Sequence, residues 1–268
     1  MQASFQGHVH TVHSLIAAGA RVDVQDRLGR TALAYAVRGS SLQVMSALLD
    51  GGVDPNVPAA DGLTPVHVAA EMGDLRALQC MLAKGGDAAA ATANGGYTLL
   101  MAAVRNSAVI SELLKLKGCD INACDTDGCT ALMAACAAGH AASVQLLLKA
   151  GAEPNAVDHW GCSALHHCVY AAQHDAIGCL NGWYNLLQAG CDCELRNVNG
   201  FTALEEARGD PCLDQLVSDV LELGGRGRGK GPATTTAAKV SAVATVAPQQ
   251  RAAAELVAAV KAEESRKS

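Results

Sequence analysis

The most constraining feature of this sequence is a glycine that recurs at a fixed interval. Four successive intervals are 33 residues long and a fifth is 39, with the glycines at Gly19, Gly52, Gly85, Gly118, Gly151 and Gly190. A period of this length is typical of a solenoid, in which each repeat packs on its neighbours and buries a shared core. We therefore expect one stack of repeated units and not a single globular core.

Residues 127–159 are one complete unit and indicate how each unit folds. Thr130 is a predicted helix N-cap, because its hydroxyl can accept hydrogen bonds from free backbone N–H groups. A short apolar helix follows and ends at Gly139. Residues 141–149 form a second helix, and Gly151 ends it in the left-handed conformation that glycine favours. Such a helix pair cannot bury its leucines alone, so copies must stack on either side.

Other features recur in phase with the glycine. An acidic residue usually follows two places later, paired apolar residues close each second helix, and Thr or Ser opens each first helix, as in Thr64-Pro-Val-His67. In these motifs the chain resembles the ankyrin-repeat family over residues 1–223. The resemblance implies an all-α ankyrin-repeat solenoid of stacked helix pairs with β-hairpin-like finger loops between units. It also implies structural roles for the motif residues Thr64, His67, Thr130, Ser163 and His166.

The units at the two ends depart from this pattern. Residues 1–20 lack an opening motif and are expected to be a partial repeat. We expect the chain to be a fragment or to have a misassigned start; fraying of this half-repeat, or a partner that covers it, stays open. About six repeats follow, and the last is a polar cap. Residues 224–268 begin with GGRGRGKG and are expected to be a disordered tail with a terminal helix.

The charge is divided unevenly between solenoid and tail. The net charge is −6, but the tail holds eight Lys/Arg and three Asp/Glu, which leaves a net charge of −11 on residues 1–223. An acidic solenoid should repel nucleic-acid phosphates, so only the tail could bind RNA, and weakly. No apolar run reaches the ~18–20 residues needed to cross a bilayer, and no secretory signal is visible. We expect a cytoplasmic protein, with the nucleus as an alternative, and no membrane association.

The sequence contains none of the common catalytic motifs. The sequence has no GxxxxGK[ST], GxSxG or HExxH segment, so we expect no enzyme, no catalytic residue and no cofactor. A suggestive cluster contains His159, Cys162, His166, His167 and Cys168. Zinc needs four converging ligands, and two of these five residues have other assignments, His166 to the motif and Cys168 to the apolar helix face. The sequence therefore predicts no metal site.

The eleven cysteines mostly occupy repeat positions. Cys129 and Cys162, for example, share one position in adjacent units. Equivalent positions in stacked helices lie about 8–10 Å apart, which is too far for a disulfide. We expect reduced thiols that act as small core residues.

The remaining candidate for a functional site is a surface that binds another protein. In ankyrin-like proteins, finger loops and first helices line a concave groove that binds partner proteins. Trp160 is notable because a turn has no structural need for an indole and Trp is enriched at interface hot spots; the alternative is that it lies flat on the neighbouring finger. Together with the acidic fingers, it suggests a partner with a basic and partly apolar surface. The predicted partner-binding residues are Asp26, Arg27, Asp61, Asp125, Asp127, Asp158, His159, Trp160 and Asn199.

The expected function is a monomeric, non-enzymatic scaffold or adaptor that binds one or more proteins. Two alternatives are the substrate-recognition part of a larger protein whose enzymatic domain is absent, and RNA binding by the tail. The longer 39-residue interval adds residues around Tyr170–Gly182. These are expected to form a loop between two helices, either a binding element or a neutral extension, with Trp183 packing after it. The resemblance also allows hydroxylation of Asn56, Asn122 or Asn155.

Overall fold

The computed structural model describes residues 1–116, 118–172 and 176–207. These residues form thirteen α-helices. The helices are α1 (Gln2–Phe5), α2 (Val9–Ala17), α3 (Ala32–Arg38), α4 (Leu42–Asp50), α5 (Pro65–Met72), α6 (Leu75–Ala83), α7 (Leu99–Ala102), α8 (Ser107–Leu113), α9 (Ala131–Ala137), α10 (Ala141–Lys149), α11 (Ala164–Ala172), α12 (Ala176–Gln188) and α13 (Ala203–Ala207). The predicted tail and the end of the predicted cap lie outside the described residues.

The helices pack in two rows, which confirms the predicted stack of helix pairs. The first helices of successive units contact one another from α1 through α3, α5, α7, α9 and α11 to α13. Second helices form the other row, with α2 on α4, α4 on α6, α8 on α10 and α10 on α12. Within the described ranges, extended structure is limited to isolated antiparallel bridges such as Val157 with Ser163.

Local capping marks the start of helix α9 and the end of helix α10. The Thr130 hydroxyl accepts a hydrogen bond from Met133 N at 3.3 Å, as the predicted N-cap requires. Helix α10 spans the predicted residues, and Gly151 follows it with φ 98°. That left-handed conformation turns the chain out of the helix without a Cβ clash.

The core is built mainly from aliphatic side chains, with buried methionines, thiols and Trp183. Leu147 and Trp183 are 0% and 1% exposed, so Trp183 packs inside the stack as expected. Adjacent units are also joined by asparagine side chains: Asn122 Oδ1 accepts from Glu153 N at 2.9 Å, and Asn155 Oδ1 accepts from Asp192 N at 2.7 Å. The ten cysteines of the described part are free thiols, as predicted.

The first unit consists of α1 and α2, with Gly7 at φ 72° between them. The second helix of this unit buries one residue, Val12. Among the described helices, none is long and apolar enough to cross a membrane.

The longer interval does not form the predicted loop extension. Helix α11 has nine residues where α9 has seven, and α12 has thirteen where α10 has nine. These two extensions take up the difference between the 39- and 33-residue intervals, while residues 173–175 lie outside the described part. The prediction of a loop was wrong because packing of α11 on α9 and of α12 on α10 supports helix in a segment that contains Gly178 and Gly182.

Candidate partner-binding surface

Each finger is a short hairpin closed by backbone hydrogen bonds. In the finger at 158–162, Asp158 N donates to Cys162 O at 3.0 Å and Gly161 N donates to Asp158 O at 2.9 Å. Gly161 has φ 71°, as expected for a three-residue loop that ends in a left-handed residue. The same bonds close the fingers at 26–30, 59–63, 125–129 and 197–201, and the finger at 92–97 is one residue longer.

The first side chain of a finger holds the loop from inside. Asp158 Oδ1 accepts from Trp160 N at 2.9 Å and from Cys162 N at 2.8 Å. Asp26 and Asp125 make the same pair of contacts in their own fingers. These carboxylates therefore stabilise the finger loops, whereas the sequence analysis predicts only a partner-binding role for them.

A second contact joins the first finger residue to the first helix of its unit, nine residues later. Asp158 Oδ2 accepts from His167 Nε2 at 2.9 Å, and Asp26 Oδ2 accepts from the Tyr35 hydroxyl at 2.7 Å. The Asp158 side chain is 1% exposed. Its two oxygens are used within the protein, so Asp158 does not offer a surface contact to a partner.

The fingers are also joined to each other along a row. Ala60 N donates to Leu28 O, Thr126 N to Gly95 O and His159 N to Asp127 O, each at 2.9 Å, and Val198 N donates to Trp160 O at 2.8 Å. These bonds hold successive tips side by side. We call these joined fingers the finger row, and it presents its tip residues to solvent while the side chain of Asp158, the first residue of its loop, is used internally.

Most of the predicted partner-binding residues are accessible on this row. The exposed ones are Arg27, Asp61, Asp127, His159, Trp160 and Asn199. Asp26 and Asp125 are half-buried because each holds its own loop. Trp160 is 51% exposed, so about half of the indole is open to a partner.

The finger row also exposes apolar side chains that the sequence analysis did not single out. Val198 is 68% exposed and Phe201 is 51% exposed, both on the finger next to Trp160. Leu28, at another finger tip, is 51% exposed. The position of these residues within the repeat could have indicated their exposure, because Val198 and Leu28 occupy finger tips, where the fold offers no core to receive an apolar side chain.

The histidines of the two motifs, His67 and His166, each form hydrogen bonds to the start of their own helix and to the adjacent unit. His67 Nε2 contacts Tyr97 O at 3.1 Å, while Nδ1 lies 2.8 Å from Thr64 Oγ1 and accepts from Thr64 N at 3.4 Å. Because a carbonyl only accepts and an amide N–H only donates, His67 must be neutral with its proton on Nε2. His166 repeats this arrangement with Ser163 and with Phe201 O. Each imidazole therefore joins a helix start to the next finger.

The finger thiols are held in the protonated form. Burial, with Asp125, Asp158 and Asp127 nearby, raises the pKa of Cys129 to about 11. Burial also raises the pKa of the Cys162 thiol, which lies 3.7 Å from the Tyr170 hydroxyl. Neither group is activated as a nucleophile.

The suggestive His/Cys cluster of the sequence is dispersed in the fold. His159 is exposed at a tip, Cys168 is fully buried in α11, and His166 is used by the motif. His167 instead lies with Asp158 and Cys129, whose ligand atoms are within 4.8 Å of one another. Sequence reasoning missed Cys129 because it comes from the preceding unit and reaches this cluster through finger stacking.

Comparison with known proteins gives one family. A family model described as ankyrin repeats in three copies matches residues 1–92, 46–123, 69–158 and 99–197. The solved ankyrin repeat domain of Bcl-3, a member of the IkappaB protein family, is 30% identical with a TM-score of 0.65, and the match covers 80% of this chain and 95% of that one. The human ASB11 ankyrin repeat domain is 23% identical with a TM-score of 0.69, over 81% of this chain and 95% of that one. No curated protein matches.

Proposed function

This chain belongs to the ankyrin-repeat family, and from that premise we propose that it is a non-enzymatic scaffold or adaptor that binds a partner protein through its finger row and first helices. Ankyrin repeats generally mediate protein–protein interaction. The proposal rests on the half-exposed Trp160. The Val198 N–H donates a hydrogen bond to Trp160 O, and this bond holds a second exposed apolar finger tip next to that of Trp160.

The energetics favour binding by this surface. Fingers that are already aligned by hydrogen bonds lose little conformational entropy when a partner docks. A partly exposed Trp can insert into a partner's pocket, and such residues contribute most of the binding energy in many interfaces. Val198 and Phe201 would extend the apolar contact around it.

The charge of the surface indicates the partner's chemistry. Asp61 and Asp127 are exposed on the finger row, and residues 1–223 carry a net charge of −11. A partner with basic side chains around an apolar centre complements this surface, because opposite potentials speed association and oppose wrong partners. Binding should therefore weaken as the salt concentration rises.

The test is capture of partners from native lysate by the full chain, followed by affinity measurement with the purified partner. Trp160→Ala should weaken binding by at least roughly tenfold, since interface hot spots contribute 2 kcal/mol or more. Leu28→Ala, at a distant finger with the same exposed fraction, is the matched control and should change affinity little. Equal affinities of the wild type and Trp160→Ala would place recognition elsewhere, first on the lengthened α11 and α12.

A further inference from the structure

Three side chains with metal-binding groups meet beneath the finger row. Cys129 closes one finger, Asp158 opens the next, and His167 lies in α11. One thiol, one carboxylate and one imidazole atom lie within 4.8 Å of one another. Asp158 is buried, while Cys129 and His167 are half-buried, so an ion from solvent can reach the cluster.

Part of this arrangement is ordinary repeat architecture. The contact between Asp158 and His167 occupies the same positions as the contact between Asp26 and Tyr35, nine residues apart in both units. What differs is the combination of imidazole with a thiol from the preceding finger. The next unit places Cys162 before Asn197 and Glu206, which form a contact at 2.6 Å without an imidazole.

The surroundings favour a cation at this point. Asp125 and Asp127 lie in the same finger as Cys129 and add negative charge beside the carboxylate of Asp158. The Lys and Arg ion pairs of the described residues involve other carboxylates and leave these three aspartates without such a partner. A bound cation would offset this local excess of negative charge.

The chemistry of the three metal-binding groups indicates which ion fits them. Thiolate, imidazole and carboxylate are the three ligand types of Zn²⁺, whereas Mg²⁺ and Ca²⁺ take oxygen ligands. We propose that Cys129, Asp158 and His167 bind one Zn²⁺ ion, with water in the fourth position. When the ion binds, the thiol proton leaves to solvent and the neutral His167 imidazole takes the tautomer with its proton on Nδ1, so that Zn–N and Zn–O bonds replace the hydrogen bond from Nε2 to Asp158 Oδ2. Trp160 N and Cys162 N orient the carboxylate through Oδ1 and leave Oδ2 facing His167 and the ion.

This site would join two successive fingers directly beneath the Trp160 tip. Cys129 belongs to the finger at 125–129, and the other two ligands belong to the following unit. Zinc would thus stabilise the stack at one junction, because an ion that binds the folded state and not the unfolded chain raises the free energy of unfolding.

The test uses the full chain, freed of metal with a chelator and titrated with Co²⁺ and Zn²⁺. We expect one equivalent of Co²⁺ to give the charge-transfer absorption of a cobalt–thiolate bond, Zn²⁺ to displace it, and Zn²⁺ to raise the melting temperature. Cys129→Ser should abolish the absorption. His167→Gln keeps a hydrogen-bond donor for Asp158 but removes the imidazole ligand. It should therefore lower the affinity for Zn²⁺ by more than the roughly 10–100-fold that loss of an outer-shell partner costs.

Cys162→Ser is the control, because this thiol occupies the same repeat position one unit later, and it should bind like the wild type. Helical circular dichroism establishes that each variant is folded. Absence of the cobalt–thiolate absorption in the wild type would overturn the proposal. Persistence of that absorption in Cys129→Ser, or its loss in Cys162→Ser, would also overturn it by assigning the ion to other thiols.

Discussion

At the scale of single residues, the His67 imidazole makes the free energy of unfolding depend on pH in the acidic range. Burial lowers the pKa of His67 below its ordinary value of 6.5, although the carbonyls of Tyr97 and Ala90 oppose the shift. Above pH 6.5 both states are neutral and His67 adds no pH dependence. Below it the unfolded chain takes up a proton that the folded protein does not, so stability falls until the pH passes the folded pKa.

We therefore expect the free energy of unfolding to decrease on acidification from pH 7.5 to 5, by about 1.4 kcal/mol for each unit of pKa depression. Urea titrations at a series of pH values measure this slope. His67→Gln should reduce the slope, whereas His159→Gln, which changes an exposed histidine, should leave it as in the wild type. An unchanged slope in His67→Gln would contradict the assignment.

At the scale of the loop, two glycines, one in a finger and one after helix α4, allow the cost of a left-handed backbone to be separated from the cost of a close contact. Gly29 and Gly52 both have positive φ, at 70° and 87°. A Cβ on Gly29 would lie 2.7 Å from Ala60 N, the donor of a finger-to-finger hydrogen bond, whereas a Cβ on Gly52 meets nothing within 4 Å. Gly52→Ala should cost about 1–2 kcal/mol from the left-handed backbone alone. Gly29→Ala should cost more, and equal losses in urea unfolding would exclude the close contact.

At the scale of the helix, Leu147 tests the register of the stack. It is 0% exposed on α10, which contacts α8 on one side and α12 on the other. Leu147→Ala should cost roughly 2–5 kcal/mol through loss of burial and the cavity left behind. Leu146→Ala removes the same atoms from a half-buried position and should cost less. A loss below about 1 kcal/mol for Leu147→Ala would mean that the helix faces are assigned wrongly.

Across the whole molecule, the sequence predicts features that are determined by residues close together in the chain. It does not predict contacts that form only when one repeat stacks on the next. Helix α10 was predicted to the residue because its limits are set locally, by the turn at Gly139 before it and by Gly151 after it. The burial of Asp158 was missed because an aspartate at a turn resembles a solvated residue until His167 is placed against it. The grouping of Cys129 with His167 was missed for a similar reason, since it arises only when one finger stacks on the next.

The same nearest-neighbour logic predicts how the molecule opens. In a solenoid each repeat is stabilised by its own packing and by the faces it shares with adjacent repeats. Helices α2 and α4 are both nine residues long, but α2 buries one side chain and α4 buries five. Hydrogen exchange should therefore be faster in α2 than in α4, because local opening of α2 exposes little apolar surface. Equal protection of the two helices would show that the described units open together as one cooperative block.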